Sequence, residues 1–251
     1  MDSLVLRNIS RSFGPVVAVD QIDLAVKQDE FLVVIGESGC GKTTLLRIIA
    51  GLETPDTGEV LIGGAPMNNV PAGRRNVQLI FQNYALWPHM RVFEDRKYAN
   101  LTLPLRIRKW SVDAIRELIR PLAARLNIEE RLFSRKPQEL SAGQQQRIAL
   151  ARAMTTAPRI LLMDEPFSNL DPGNRRRVRA EIRAFHKEHH LTTMFVTHNL
   201  EDAIELGDRI ALMHEGRLEQ VDTAENLMRH PATERVADYF RVRPSYGVAF
   251  R

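Results

Sequence analysis

The chain has a single cysteine, Cys40, which excludes an internal disulfide, and no Cys/His grouping suggests a structural metal site. No apolar run approaches the ~20 residues needed to cross a bilayer. The N-terminus, MDSLVLRNISRSFG, lacks a basic stretch followed by an apolar core, so it does not read as a signal peptide. Internal repeats and low-complexity segments are also missing. These absences predict a soluble, cytoplasmic chain. Its 251 residues suit one large α/β domain or a core with an inserted lobe. At that size roughly three-quarters of the unfolded surface can be buried without staples.

Charge is equally uninformative about a polyanionic partner. The formal net charge is only +4. The densest basic run, NRRRVRAEIR (174–183), carries Val178 and Ile182, and Phe185 continues their helical spacing, so its arginines are expected on the wet side of an amphipathic helix. His186, His189 and His190 close that charged helix and are expected to be solvated. No nucleic-acid partner is expected.

Positive signals begin with alternation. LVLRNIS and VVAVDQIDLAVKQ follow the period-2 pattern of half-buried antiparallel strands. FLVVIG, RILLMD (159–164) and TMFVT (193–197) are short continuous apolar runs, the pattern of strands covered on both faces. A helix from Arg175 to His190 separates the last two, which implies a parallel sheet with helices packed on it. From about Tyr84 to Ala157 the pattern is mainly helical. There Val112, Ile115, Ile119, Leu122 and Leu126 form a stripe that Pro121 is expected to kink or divide. The expected fold is therefore α/β, with a mostly parallel sheet, an N-terminal antiparallel β subdomain and an inserted helical subdomain.

GESGCGKTT (36–44) matches the phosphate-binding loop pattern G-x-x-x-x-G-K-[ST], and it lies between a buried strand and a helix. Gly36, Gly39 and Gly41 let the backbone turn sharply and aim its amides at phosphate oxygens, and the helix dipole adds to the attraction. Ser38, Cys40 and Thr44 complete the loop; Cys40 reads as a small residue that fits there. Lys42 is expected to bridge the β- and γ-phosphates, and Thr43 to offer a hydroxyl to Mg²⁺. Asp164 ends a buried strand, where its carboxylate can bind Mg²⁺ through water, and Glu165 can polarise an attacking water. Gln82 follows VQLIF and can reach Mg²⁺ and that water; His198 follows TMFVT and can contact the γ-phosphate. Taken singly, each of these two would read as a polar residue at a strand end. Finally, Ser141 in ELSAGQQQR is a good helix N-cap, yet a cap requires neither Ala-Gly nor three glutamines.

Together these residues resemble the ATP-binding subunit of ABC transporters, across about residues 3 to 240. GESGCGKTT is similar to its Walker A motif, ILLMDE to Walker B and LSAGQ to its signature. Gln82 matches the Q-loop, SNLD (168–171) the D-loop and His198 the H-loop, while Phe13 sits where the family stacks a ring on adenine. The resemblance implies a P-loop NTPase core at about 1–83 and 158–240, a helical subdomain at about 84–157 and a tail from 241 to 251. It also implies ATP hydrolysis with Mg²⁺ and a head-to-tail homodimer, in which Ser141 and Gly143, supported by Gln144, meet ATP held by the second copy. Integral membrane permeases and a periplasmic or lipid-anchored solute-binding protein would complete the system. The chain would then sit peripherally on the cytoplasmic face of the membrane.

FQNYALWPHM and GRLEQVDTAENLMRHPATERVADYF are most similar to importers of the polyamine, iron, sulfate and sugar branch. The C-terminal regulatory β-domain common in that branch is not expected here. Ala142 stands where the family usually has glycine, a change expected to be harmless because Ser141 and Gly143 remain. The stretch RVFEDRKYANLTLPLR, in the region where a permease helix would dock, is more basic and polar than the family's pattern. The alternatives are an exporter motor and a soluble ABC ATPase acting on DNA or ribosomes. The latter class usually has tandem domains or a long coiled-coil insertion, and this chain has neither. A kinase or GTPase would leave LSAGQ and His198 unexplained.

Overall fold

The computed structural model describes residues 2–168 and 170–241. Asn169 of the SNLD segment and residues 242–251, most of the expected tail, lie outside the described residues. The chain opens with two long strands, β1 (Asp2–Phe13) and β2 (Val16–Lys27), paired antiparallel as their alternation predicts. Strands β4 (Thr57–Ile62) and β5 (Ala65–Pro66) extend this sheet in the order β2-β1-β4-β5.

The second sheet is built on the three apolar runs. β3 (Phe31–Ile35), β7 (Ile160–Asp164) and β8 (Thr192–Thr197) are buried along their whole lengths. With β6 (Val77–Ile80), β9 (Arg209–His214) and β10 (Arg217–Asp222) they form the order β10-β9-β3-β8-β7-β6, parallel except for β9–β10. Period-2 geometry divides these strands between two cores. Phe31, Val33, Ile35, Leu161, Met163 and Phe195 face a core shared with most of the helices. Leu32, Val34, Ile160, Leu162, Met194 and Val196 face one shared with the antiparallel sheet and α1 (Lys42–Ala50).

Between β6 and β7 lie α2 (Leu103–Ile107), α3 (Val112–Arg125) and α4 (Ala142–Met154); α5 (Pro172–Glu188), α6 (Leu200–Leu206), α7 (Ala224–Arg229) and α8 (Glu234–Arg241) follow β7. The break expected at Pro121 does not divide α3, which runs as one helix through the proline. Pro121 and Glu117, whose carbonyl loses its donor, are both exposed, so water can supply the missing bond. Burial of Ile115, Ile119 and Ala123 holds the helix on its inner face. Residues 83–102 are not helical; buried Asn100 ties them by accepting from the Trp87 amide (2.8 Å) and donating to the carbonyls of Trp87, Met90 and Arg91.

Two expectations for α5 are corrected by burial. Val178, Ile182 and Phe185 do face the core, but Arg179 is 3 % exposed rather than wet. Its guanidinium pairs with Asp202 (2.7 Å), Glu205 (2.5 Å) and Glu201 (3.3 Å), carboxylates of α6 that a pattern confined to α5 cannot reveal. His186 is buried rather than solvated. Its Nδ1 lies 3.0 Å from the Thr193 hydroxyl and its ring stands edge-on to Phe31, and burial holds its pKa below the ordinary value.

Replacing Arg179 by methionine would strand Asp202, itself 1 % exposed. Breaking such a pair from one side is expected to cost about 3–5 kcal/mol. A calorimetric melt should show the midpoint falling by about 10 °C; an unchanged midpoint would show that the pair contributes nothing.

Candidate nucleotide-binding site

β3 ends in the loop 36–41, which leads straight into α1. A Cβ at Gly36 would overlap the Met213 carbonyl oxygen of β9, and one at Gly41 the Ala18 carbonyl oxygen of β2. Gly41 also has φ 105°, so only glycine meets both demands. α1 starts with no side-chain cap and no acid in its first turn, leaving its N-terminal amides and dipole to attract an anion. Lys42, 5 % exposed, folds back into the loop. Its ammonium donates to the carbonyls of Gly36 (2.9 Å) and Glu37 (2.6 Å) and lies 3.6 Å from the Cys40 sulfur. Among the described residues no carboxylate pairs with it.

The Thr43 hydroxyl donates to Asp164 Oδ1 at 3.0 Å. Burial pushes the Asp164 carboxyl above the ordinary carboxylate range, and the Thr43 bond pulls the other way. A hydroxyl and a carboxylate side by side are hard oxygen donors, suited to a hard divalent cation. Glu165 follows at φ 43°, its amide donating to the Val196 carbonyl (3.0 Å). Its Oε2 lies 2.9 Å from Nδ1 of His198, across the boundary between β7 and β8. A carboxylate oxygen accepts, so Nδ1 is the ring nitrogen that donates to Glu165, and Nε2 is not engaged by this contact. The turn that carries His198 is fixed from beneath. The Thr197 hydroxyl accepts from the Asn199 amide (3.0 Å) and reaches Asp202 (3.4 Å), the partner of Arg179.

Strand register explains why these groups meet. Ile35 pairs with Thr197, Val196 with Asp164, and Met163 with Ile80. The phosphate loop, His198, Asp164–Glu165 and the segment containing Gln82 therefore all leave the carboxyl ends of four adjacent parallel strands, where open α/β sheets bind ligands. Phe13, exposed, ends β1; Arg11 lies over its ring at 4.9 Å, and the β1–β2 hairpin reaches the loop through Ala18.

Ser141, Gly143 and Gln144 belong to a separate group at the start of α4. Ser141 and Gln144 form a reciprocal capping box: the Ser141 amide donates to Gln144 Oε1 (3.0 Å) and the Gln144 amide to Ser141 Oγ (3.4 Å). Gln145 donates to the carbonyls of Pro137 and Leu140. Two of the three glutamines thus organise the helix start. No hydrogen bond among the described residues joins this group to the phosphate loop. Ala142 takes the first helical position, where its φ is not positive, and its methyl packs on the larger core. A Cβ at Gly143 would meet nothing within 4 Å, so this chain alone does not require glycine there.

A sequence profile of the ABC transporter family matches residues 19–168. The chain belongs to the ABC transporter family. Among its relatives, the sulfate/thiosulfate import ATP-binding protein of Synechocystis sp. is 42 % identical, the match covering 92 % of this chain and 63 % of that protein. The trehalose/maltose import ATP-binding protein of Thermococcus litoralis is also 42 % identical, over 97 % of this chain and 66 % of its own length. The cassette therefore spans less than two thirds of these curated relatives. Among solved structures, a dimeric ATP-binding cassette in a post-hydrolysis state with ADP and Pi is 31 % identical with a TM-score of 0.75, covering 88 % of this chain and 98 % of that one.

Three residues of this ABC cassette that were not among the expected nucleotide-site residues bond backbone near the site. Buried Arg75 donates to the carbonyls of Ile48 (2.8 Å) and Ile49 (3.1 Å), closing the end of α1 opposite the loop. Arg152 of α4 donates to the carbonyl of Tyr84, two residues after Gln82 in the chain, with further contacts described below. Each lies in a segment whose pattern reads as loop or helix surface.

Proposed function

We propose that the chain is the ATP-hydrolysing motor subunit of an ABC importer, a single cassette over 1–240 with a core at about 1–83 and 158–240 and a helical unit at about 84–157. One observation carries the reading: the Lys42 loop, the Thr43–Asp164 pair and the Glu165–His198 pair converge at one edge of the sheet.

On this reading the Lys42 ammonium exchanges its loop carbonyls for β- and γ-phosphate oxygens, while the loop amides, with Ser38, Cys40 and Thr44, wrap the phosphates. Phe13 stacks on the adenine. Thr43 and Asp164, with Gln82, would hold Mg²⁺, which when bound would neutralise phosphate negative charge. Glu165 orients and polarises the attacking water, and His198, with Nδ1–H held on Glu165, donates from Nε2–H to the γ-phosphate. Phosphoryl transfer needs positioning and charge stabilisation, which this set supplies.

The exposed start of α4 fits the remaining role. Ser141 and the amides near Gly143, prearranged by Gln144, approach ATP bound to a second copy, and the open space at Gly143 suits a close approach of backbone to phosphate. ATP then joins two copies, and hydrolysis releases them. Among the described residues no helix is long and apolar enough to cross a membrane. Attachment to the cytoplasmic face would thus come through permease subunits, with a solute-binding protein delivering cargo. Relatives named for sulfate/thiosulfate and for trehalose/maltose are equally similar, so the choice of solute belongs to those partners.

The test is Ser141→Arg. Turnover is expected to fall about 100-fold, the scale of losing transition-state donors. ATP binding by the monomer, followed by calorimetric titration, should be retained. Lost monomer binding would place Ser141 in its own chain's pocket and overturn the paired arrangement.

A further inference from the structure

We propose that Tyr84 is a positioning residue that, together with Arg152, ties the loop of Glu165 to helix α4. The proposal rests on the ATPase reading above and adds to it a path within one chain, from the exposed start of α4 to the catalytic carboxylate.

Tyr84 is an unusual loop residue. It is 2 % exposed, and its hydroxyl donates to the carbonyl of Pro166 at 3.1 Å, one residue beyond Glu165. Its own carbonyl and that of Ala85 accept from Arg152, at 2.9 and 2.7 Å. Arg152 lies in the last turn of α4, and its guanidinium sits 4.7 Å from the centroid of the Trp87 ring. No carboxylate pairs with Arg152 among the described residues. The guanidinium is held by two backbone carbonyls and an aromatic face, an arrangement that depends on direction more than on charge. Burial lowers its pKa to about 10 and raises that of the Tyr84 phenol to about 12, so the phenol remains a donor throughout the working pH range.

The tie also joins the parts of the backbone that need holding. Tyr84 and Ala85 have φ 62° and 44°, and Glu165 has 43°, all non-glycine residues in the left-handed region. Such conformations persist where surrounding contacts over-determine them. On the far side, the Asn100 bonds to residues 87–91 keep the segment from yielding. A displacement of α4 is therefore passed through Arg152 to Tyr84, and through the phenol to Pro166. The start of α4 is where a second copy's ATP would bind, so the tie lets each chain's glutamate take its position from the occupancy of the other site.

The experiment compares Tyr84→Phe, Arg152→Lys and the double variant in steady-state ATP hydrolysis, with a thermal melt of each. Tyr84→Phe keeps the buried ring and removes only the hydroxyl. Its kcat is expected to fall about tenfold, the scale of one hydrogen bond. KM for ATP should stay at the wild-type value, and the melting midpoint should fall by only a few degrees, the cost of one buried carbonyl left without its donor, so that the protein stays folded at the assay temperature. Because both residues act in one tie, the double variant should be no slower than the slower single variant. Wild-type kcat in Tyr84→Phe, a loss matched by lost folded protein, or multiplying effects in the double variant would each overturn the proposal. Failure of the underlying reading looks different: wild type and Glu165→Gln would then hydrolyse ATP at the same rate.

Discussion

Lys42→Ala is expected to abolish ATP turnover, by 100-fold or more on the scale of removing one preorganised donor from a transition state. The ammonium is the one side-chain cation enclosed by the described phosphate loop, and its Nζ is already within 3 Å of two loop carbonyls. Any phosphate drawn onto the loop amides arrives beside it, where low water access strengthens the charge interaction. The substitution also leaves the Gly36 and Glu37 carbonyls without their donor, at about 1–3 kcal/mol for each one that stays buried. A melt must therefore accompany the assay. Lys42→Met, which keeps most of the stem, separates lost charge from lost packing: both variants should be inactive, with Met the more stable. Normal turnover in either would remove the loop from the mechanism.

Glu165→Gln should bind ATP, hydrolyse it at least about 100-fold more slowly, the ordinary contribution of a general base, and accumulate as a dimer. The Glu165–His198 contact makes this substitution informative. Nδ1–H of His198 can donate to the amide oxygen as it does to the carboxylate, so the geometry survives while the negative charge is lost. The loss in rate then reports the charge on the water. Light scattering with ATP should show twice the monomer mass, and monomer alone would count against ATP joining two copies.

What could be read beforehand follows from the range of the physics involved. The strands β3, β7 and β8 were legible because burial on both faces demands continuous apolar runs, and the phosphate loop because glycine spacing and Lys42 are contiguous. Tertiary contacts were not legible. The partner of Arg179 lies on α6, so its charge pattern within α5 reads as wet. Glu165 and His198 are 33 residues apart and meet only through strand register. Pro121 breaks a helix in isolation, yet here an exposed face supplies water and a buried face supplies packing. Gln144, expected to support the contact of Ser141 and Gly143 with the second copy's ATP, caps its own helix and so prearranges Ser141. Tyr84 and Asn100 lie in stretches noted for other reasons, FQNYALWPHM and RVFEDRKYANLTLPLR, but nothing local distinguishes a pinned loop from a loose one.

The two glycines of the phosphate loop have a consequence for how this sequence can drift. Gly36 rests against a backbone oxygen of β9 and Gly41 against one of β2, strands from different sheets. A backbone oxygen has no identity to mutate. The side chain at position 18 can therefore change without reshaping the loop, whereas inserting or deleting one residue in either strand would move the oxygen itself. The fit of these glycines therefore depends on the length of the strands behind the loop and not on the side chains those strands carry at the contact.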